Sequence, residues 1–309
     1  MRIALTGGTG FVGAALIDLL LAQGHEVVAL ARDPAKLARA DDVAVVKGDL
    51  DNEEALGKIA QNADVFMHLA GVTHARKEDD YRAVNVDGAA RAANAARVAG
   101  AKFVHISSMS ARAPEVSPYA RSKRESEDAV REASGANPWL ALRLPAIYGP
   151  GDLVTLPFFK LVKSGLALEP KTEPPARASI LYVSDAADAI LAAANDAAPG
   201  AVYEVGDERP EGHAWSEIGA ILGEAFGKPP RSIRVPRPVI AAYHGTVRAV
   251  EGALGRTPSV RAGQINEFFH PDWVAREQLL SLETPWRPAI SLKEGFAKTI
   301  RWYQDNGLL

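Results

Sequence analysis

Tyr119 and Lys123 stand four residues apart in the run Tyr119-Ala120-Arg121-Ser122-Lys123. On a helix that spacing puts both side chains on one face. A free tyrosine, with a pKa of about 10, is a poor acid or base near neutrality. A lysine cation beside it favours the phenolate and lowers that pKa. The pair can then pass a proton to or from an oxygen whose carbon gains or loses a hydride. Taken alone, the pattern describes many exposed helix faces; what precedes it in the chain gives it weight. Ser107 and Ser108 close a β-rich run, at the strand edge where ligands of open sheets bind. A hydroxyl there can orient the reacting oxygen toward the tyrosine. The plain alternative is a cap on the strand end, a role that suits Ser107 or Ser110 equally. Asn85 opens the helical pattern before that strand, and capping its helix is its ordinary role.

Nearer the start, Thr6-Gly7-Gly8-Thr9-Gly10-Phe11-Val12-Gly13 lies between a strand-like run and a helical one. Gly8, Gly10 and Gly13 satisfy G-x-G-x-x-G, and Gly7, Gly10 and Gly13 satisfy G-x-x-G-x-x-G. Glycine permits the tight turn and lets backbone amides reach a pyrophosphate with no Cβ in the way. The helix that follows adds free N–H groups and a partial positive charge. A dinucleotide is therefore expected, and the end of the second strand decides which. NAD sites place an acid there to hold the ribose hydroxyls. This chain has Leu30-Ala31-Arg32-Asp33-Pro34: Ala31 stands where the acid belongs, and Arg32 follows with a fork suited to a 2′-phosphate. NADP is the expected cofactor. NAD is the alternative, if Asp33 turns inward to the ribose.

These residues need a scaffold. Arg2–Thr6, Glu26–Ala31, Val43–Lys47, Asp64–Leu69 and Lys102–Ser107 read as strands. Val12–Gln23, Glu53–Gln61 and Val86–Ala99 read as helices between them. A further strand, Trp139–Pro145, follows the helix that begins near Tyr119. This alternation predicts an α/β fold, with a doubly wound parallel sheet, of Rossmann type, over residues 1–150. After Gly149-Pro150-Gly151 the pattern loosens. Glu169–Ala178 reads as a Pro-rich loop, Ile180–Val183 as a strand, Ser184–Asn195 as a helix and Ala201–Val205 as a last strand. Residues 179–206 are thus expected to return to the first domain, and 151–309 to form mostly a smaller, mixed substrate-binding part. Helices are expected at Trp215–Phe226 and Leu292–Gln304. Lys228–Pro238, rich in proline and basic residues, reads as an ordered loop.

Composition narrows the function. The formal net charge of −3 over 309 residues gives no basic surplus for general nucleic-acid binding. The absence of cysteine excludes disulfides and thiolate metal sites. His25, His68, His74, His105, His213, His244 and His270 lack metal-ligand spacing, so no metal is expected; His74 is placed to reach a substrate pocket. The most apolar early stretch, Ala14–Ala22, contains Asp18 and is too short to span a bilayer. Residues 1–6 read as a strand and not a signal peptide. A soluble cytoplasmic protein with a small-molecule substrate, and no membrane or nucleic-acid partner, is expected. The alanines of 89–99 suit close helix packing, including a helix-on-helix homodimer contact.

Further motifs join these: Gly48-Asp49-Leu50, His68-Leu69-Ala70-Gly71, Asn85-Val86-Asp87-Gly88, FVHISSMSA at 103–111, SPYARSK at 117–123, RLPAIYGPG at 143–151, YVSD at 182–185, VYEVGD at 202–207 and PWRPAISLKEGF at 285–296. With the glycine loop they make the chain resemble, over essentially its whole length, the extended short-chain dehydrogenases/reductases, the NAD-dependent epimerase/dehydratase family. The resemblance implies a catalytic set of Ser108, Tyr119 and Lys123 with Asn85 in support, Tyr119 and Lys123 also touching the cofactor. It implies that Asp49, Leu50 and Ala70 line the cofactor and that Pro145 borders the nicotinamide, and it implies a dimer. With the glycine loop and Arg32 the expected cofactor wall is Gly7, Gly10, Phe11, Val12, Gly13, Arg32, Asp49, Leu50, Leu69, Ala70, Gly71, Pro145 and Ile147. Sugar-nucleotide epimerases of the family commonly read RYFNVYGP where this chain has RLPAIYGP, so Ala146 replaces their asparagine. The Arg-Asp-Pro after the second strand and HPDW at 270–273 resemble the dihydroflavonol-reductase and 3β-hydroxysteroid-dehydrogenase branch. The expected activity is NADP(H)-dependent interconversion of a carbonyl and a secondary alcohol. The alternatives are a nucleotide-sugar epimerase or dehydratase that keeps its dinucleotide bound, and a non-catalytic dinucleotide sensor or scaffold.

Overall fold

The computed structural model describes residues 1–75, 77–254 and 263–309. Its main sheet has seven strands: β1 (Arg2–Thr6), β2 (Glu26–Ala31), β3 (Ala44–Lys47), β4 (Val65–His68), β5 (Lys102–Ser108), β6 (Trp139–Leu144) and β7 (Ala201–Glu204). They lie in the order β7-β6-β5-β4-β1-β2-β3, and every neighbouring pair is parallel. The helices that matter below are α1 (Phe11–Ala22), α2 (Glu53–Ala60), α3 (Gly88–Ala99), α4 (Pro118–Ser134), α5 (Leu156–Lys163), α6 (Val183–Asp196), α7 (Trp215–Ala225) and α8 (Leu292–Asp305).

Strands covered on both faces read as continuous apolar runs. EVVALA of β2 and WLALRL of β6 are such runs, and β6 is buried along its whole length. Alternation along β1 assigns the two faces. Ile3 and Leu5 pack with Leu16, Ile17 and Leu20 of α1 and Ile190 of α6. Ala4 faces the other way, into a cluster with Leu56 and Ile59 of α2, Phe66, Phe103 and the alanines of α3. Each fully buried Leu or Ile contributes about 1.5–3 kcal/mol.

Ala89, Ala92, Ala93 and Ala96 are completely buried. These four alanines pack within the chain, where α3 lies against α2 and α4. Small side chains are needed there because three helices crowd one sheet face.

A smaller mixed part gathers α5, α7 and α8 around Tyr148, Phe159, Ile218, Leu222, Phe296 and Tyr303. Here two expectations are corrected. Within Lys228–Pro238, Arg231–Val235 is a strand, parallel to Leu166–Pro170. The prolines fall at its ends, where no ladder N–H is lost. Glu169 and Pro170 thus finish a strand, and Arg177–Ala178 form another, so Glu169–Ala178 is not wholly loop. A 17-residue helix, Arg237–Ala253, follows at once; Pro238 fits its first turn, where the missing N–H has no partner to lose. Among the described residues no helix is long and apolar enough to cross a membrane.

Candidate active site

The strand order reverses between β1 and β4, so the loops leaving their carboxyl ends diverge and open a crevice. The glycine loop fills one side of it. Gly7 has φ +80°, and a Cβ there would fall 2.6 Å from Ala70 N and from Leu69 C. A Cβ on Gly13 would fall 2.2 Å from Gly7 O. Any side chain at either position would push the loop off β4 and off α1. Gly10 caps α1 without a side chain to receive the first-turn N–H groups. Those donors, at the positive end of the helix, are directed to an anion from outside the chain. The loop thus has the bare backbone and free donors that a pyrophosphate requires, so the residues fit a dinucleotide.

Two adjoining cavities share Gly7, Gly10, Leu69, Gly71 and Val72. The first, about 310 Å³, is bounded by Phe11, Val12 and Gly13 on one side and by Asn85, Ser108, Tyr119, Lys123, Pro145 and Ile147 on the other. The second, about 330 Å³, is bounded by Arg32, Asp49, Leu50 and Ala70. Apart from Gly8 and His74, the residues expected at the site from the sequence line one of these cavities. Ser107, at the same strand end as Ser108, also lines the first, as do residues not expected there: Val72, Thr73, Ile106 and Leu144. His74 is exposed and does not line it; its Nδ1 lies 3.1 Å from Thr73 Oγ1. The reason is that the chain turns outward after Thr73, leaving Thr73 as the residue on the cavity wall.

Tyr119 and Lys123 sit on the first turns of α4. Ser117 starts that helix: its Oγ accepts from Ala120 N at 3.0 Å, and Pro118 takes the first helical position. Lys123 is buried, and its Nζ donates to Ile106 O at 2.6 Å. Burial pushes its ammonium down to about 8, against the opposing pull of Glu127 one turn further on. Ser108 Oγ accepts from Ser110 N at 3.2 Å, capping the turn Met109–Arg112 while still lining the cavity. The two roles proposed for it are compatible.

Asn85 does not cap a helix. It lies in a π-helical turn, Arg82–Asp87, and is completely buried. Its Oδ1 accepts from Val72 N at 2.8 Å, and its Nδ2 donates to Val72 O at 3.0 Å and Ser122 Oγ at 2.9 Å. The wider turn rotates it inward, so that it ties the loop after β4 to α4 next to Lys123.

Beneath Lys123 the sheet carries two stacked imidazoles, His68 of β4 and His105 of β5, with centroids 5.6 Å apart. His68 Nδ1 meets Thr6 Oγ1 at 2.7 Å, and His105 Nε2 meets Ser126 Oγ at 2.9 Å. Ser126 Oγ gives its proton to Lys123 O, so His105 Nε2 carries the ring proton. Burial, reinforced by Lys123, lowers His68 to about 3 and holds His105 well below the usual histidine range. Both rings are neutral at pH 7, which leaves Lys123 as the cation on the wall of the first cavity.

Sequence reasoning missed the charges behind it. Glu127 accepts a fork from Arg143, Nε to Oε1 at 2.9 Å and Nη2 to Oε2 at 2.8 Å, and a bond from Ser107 Oγ at 2.6 Å. Arg143 also reaches Glu204 at 3.5 Å, and Glu204 faces Arg112 at 3.6 Å. Two acids and two bases thus balance in a nearly dry interior. A second grouping, Asp207 and Glu208 about His213 Nε2 at 3.6 and 3.7 Å, was passed over because its residues are not spaced like metal ligands in the sequence.

Fold and crevice define a dinucleotide-binding short-chain dehydrogenase/reductase scaffold, and the chain belongs to the NAD dependent epimerase/dehydratase family, whose profile matches residues 3–206. It is similar to the ceramide reductase of Caulobacter vibrioides, 40% identical over 99% of this chain and 96% of that one. It is 32% identical to the 3 beta-hydroxysteroid dehydrogenase/Delta 5-->4-isomerase of Mycobacterium tuberculosis, over 68% of this chain and 65% of that one. In structure it resembles the UDP-glucose 4-epimerase of Thermus thermophilus in complex with NAD, with a TM-score of 0.70 at 23% identity, over 98% and 99% of the two chains. The chain is an enzyme of this family, an NAD(P)-dependent oxidoreductase.

Proposed function

We propose that the chain is an NADPH-dependent reductase that turns a ketone on an apolar, ceramide-type lipid into the secondary alcohol. One observation carries this reading: Ser108, Tyr119 and Lys123 share a single cavity with the open N-terminus of α1. When bound, NADPH supplies the hydride to the carbonyl carbon. Ser108 Oγ hydrogen-bonds the carbonyl oxygen and orients it. Tyr119 gives its phenolic proton to that oxygen as negative charge develops there. The Lys123 cation stabilises the phenolate left behind. Asn85 acts one step back, holding the Val72 loop and Ser122 so that the wall opposite Lys123 keeps its place.

The choice of NADPH rests on the end of β2. Arg32 lines the second cavity. Asp33 is used locally: its carboxylate accepts from Ala35 N at 3.3 Å, and Lys36 Nζ lies 3.7 Å away. With Asp33 engaged in that turn and Ala31 uncharged, the end of β2 offers a 2′-phosphate a guanidinium where NAD sites place an acid; the carboxylates that also line this cavity, Asp49 and Asp51, come from the loop after β3. The main-chain amides of Gly10–Gly13 hold the pyrophosphate, and Asp49 and Leu50 border the adenosine. The substrate class follows from two likenesses, to a ceramide reductase and to a dehydrogenase of steroid alcohols. The apolar wall of Val72, Ile106, Leu144 and Ile147 suits such substrates. Two copies paired across the outward faces of α3 and α4 complete the reading, as the family resemblance implies.

The test is NADPH oxidation in detergent micelles. A ceramide oxidised to the ketone at its secondary carbinol should be reduced. UDP-glucose offered with the same protein should consume no NADPH. Turnover of the sugar nucleotide with no loss of NADPH would replace this reading by an epimerase.

A further inference from the structure

We propose that helix Arg237–Ala253, whose base is tied to the start of the helix that carries Tyr119, docks the protein on the surface of a bilayer containing anionic lipid. The helix stands largely clear of the body. Val239, Tyr243, Val250 and, just past its end, Leu254 are 53–63% exposed. At 3.6 residues per turn these four fall within an arc of about 60°, so they make one straight apolar stripe, about 22 Å long. Thr246 borders them on that arc, with Ala242 and Ala249 beside it; these small side chains let the stripe sink toward the headgroups. A short amphipathic helix with an aromatic on its apolar face lies in an interface in this way, without spanning it.

Charge selects the occupant. From Ala225 to Leu254, where the stripe ends, the chain has five basic residues and one acidic one, Glu251, although the protein as a whole carries a net charge of −3. Lys228, Arg231 and Arg237 are exposed, and so is Arg234, whose Nε also lies 3.3 Å from Glu169 Oε1. A basic segment bordering an apolar stripe matches anionic headgroups over acyl chains. A second copy of this chain fits poorly, because a symmetric contact would lay the same basic segments side by side.

The base of the helix is tied to the catalytic helix. Arg237 donates to Asn266 Oδ1, and Asn266 Nδ2 donates to Val116 O at 2.9 Å. Ser117, which caps α4 two residues before Tyr119, donates to Glu267 of the same following segment. Gly263 lies so close that a Cβ there would be 2.3 Å from Ser117 Cβ. A bilayer held by the stripe is thus anchored through residues 263–267 to the start of the Tyr119 helix. This deepens the proposed lipid-ketone reading, on which its purpose rests: the substrate partitions into bilayers and would be taken from one locally. It also revises the expectation that a membrane plays no part, while leaving the absence of a spanning helix untouched.

The experiment is co-sedimentation of the full chain with vesicles of phosphatidylcholine, with and without phosphatidylglycerol. The wild type should pellet with the anionic vesicles at low salt and be released by high salt. Tyr243→Ser combined with Val250→Ser removes apolar surface at exposed positions, so folding is spared. It should lower partitioning by about tenfold or more. Turnover of a short, water-soluble ketone should be the same in both proteins; that arm reads the proposed chemistry, and the vesicle arm reads docking alone. Wild type that stays in the supernatant, or that pellets no better than the double variant, overturns the proposal. So does light scattering that shows the two substitutions splitting a dimer.

Discussion

Arg143 grips Glu127 through two parallel bonds, at 2.9 and 2.8 Å, one helical turn beyond Lys123. The fork is 8% exposed on the arginine side and 4% on the glutamate side. Glu127 has two effects at once: it neutralises Arg143 and it supports the charge on Lys123. Glu127→Gln keeps the volume and removes the charge. Breaking a buried pair in this way costs about 3–5 kcal/mol, so chemical denaturation should show a marked loss. The functional consequence has a definite sign. Without Glu127, burial lowers Lys123 further, and its proton is lost at lower pH. The basic limb of kcat/KM, expected near pH 8 from Lys123 in the wild type, should move toward neutrality. A limb unmoved in a variant that still folds would remove Glu127 from any role at the site.

Tyr119→Phe deletes one hydroxyl and leaves the wall of the cavity in place. If Tyr119 is the proton donor, kcat should fall by about 100- to 10,000-fold while NADPH affinity stays near the wild-type value. Lys123→Ala should act differently, lowering both rate and affinity, because its Nζ holds Ile106 O and charges the cavity. Single-turnover rates set beside calorimetric titration of NADPH separate the two. Near-wild-type turnover by Tyr119→Phe would dismiss the tyrosine.

Arg32→Ala tests the cofactor. A charge-assisted hydrogen bond contributes about 1.5–3 kcal/mol, so the preference for NADPH over NADH should fall roughly ten- to a hundredfold. Calorimetry of both dinucleotides reads the ratio. A wild type that prefers NADH, or an Asp33→Ala change that selectively weakens NADH, would make this an NAD site.

Acid should weaken the fold through His68. Its folded value, lowered to about 3, lies below the free value of 6.5, so the unfolded chain binds the proton first. The stability this neutral ring provides is complete above about pH 6.5 and drains away as pH falls toward 3. Between pH 7 and pH 5 the loss from His68 alone is about 2 kcal/mol. Urea midpoints at those two pH values should show it, and His68→Asn should flatten the dependence. Equal slopes in the two proteins would show that His68 is not the group responsible.

What the sequence made legible was local. The glycine loop, the Tyr119–Lys123 spacing and the alternation of strands and helices each lie within a few residues, and each is repeated in the structure. What it hid was long-range. Glu127 sits in RSKRESEDAVRE, a run that reads as a solvated helix face, yet its partner Arg143 is 16 residues away on β6. Glu204 joins the same network from 61 residues beyond Arg143. Asn85 reads as a cap in the sequence because the widened turn that buries it leaves no mark in residue types. The helix Arg237–Ala253 was hidden by Pro236 and Pro238, which look like breakers and in fact bracket its start.

Label transfer tests the central claim most directly. Protein, NADPH deuterated at the transferable position of its nicotinamide, and the ketone form of ceramide are incubated together, and the product is analysed by mass and by position of label. The account predicts one deuterium, on the carbinol carbon of the new secondary alcohol, with one NADPH consumed per product and none with Tyr119→Phe. Product without deuterium at that carbon, or an isomerised substrate with the dinucleotide unchanged, would contradict it.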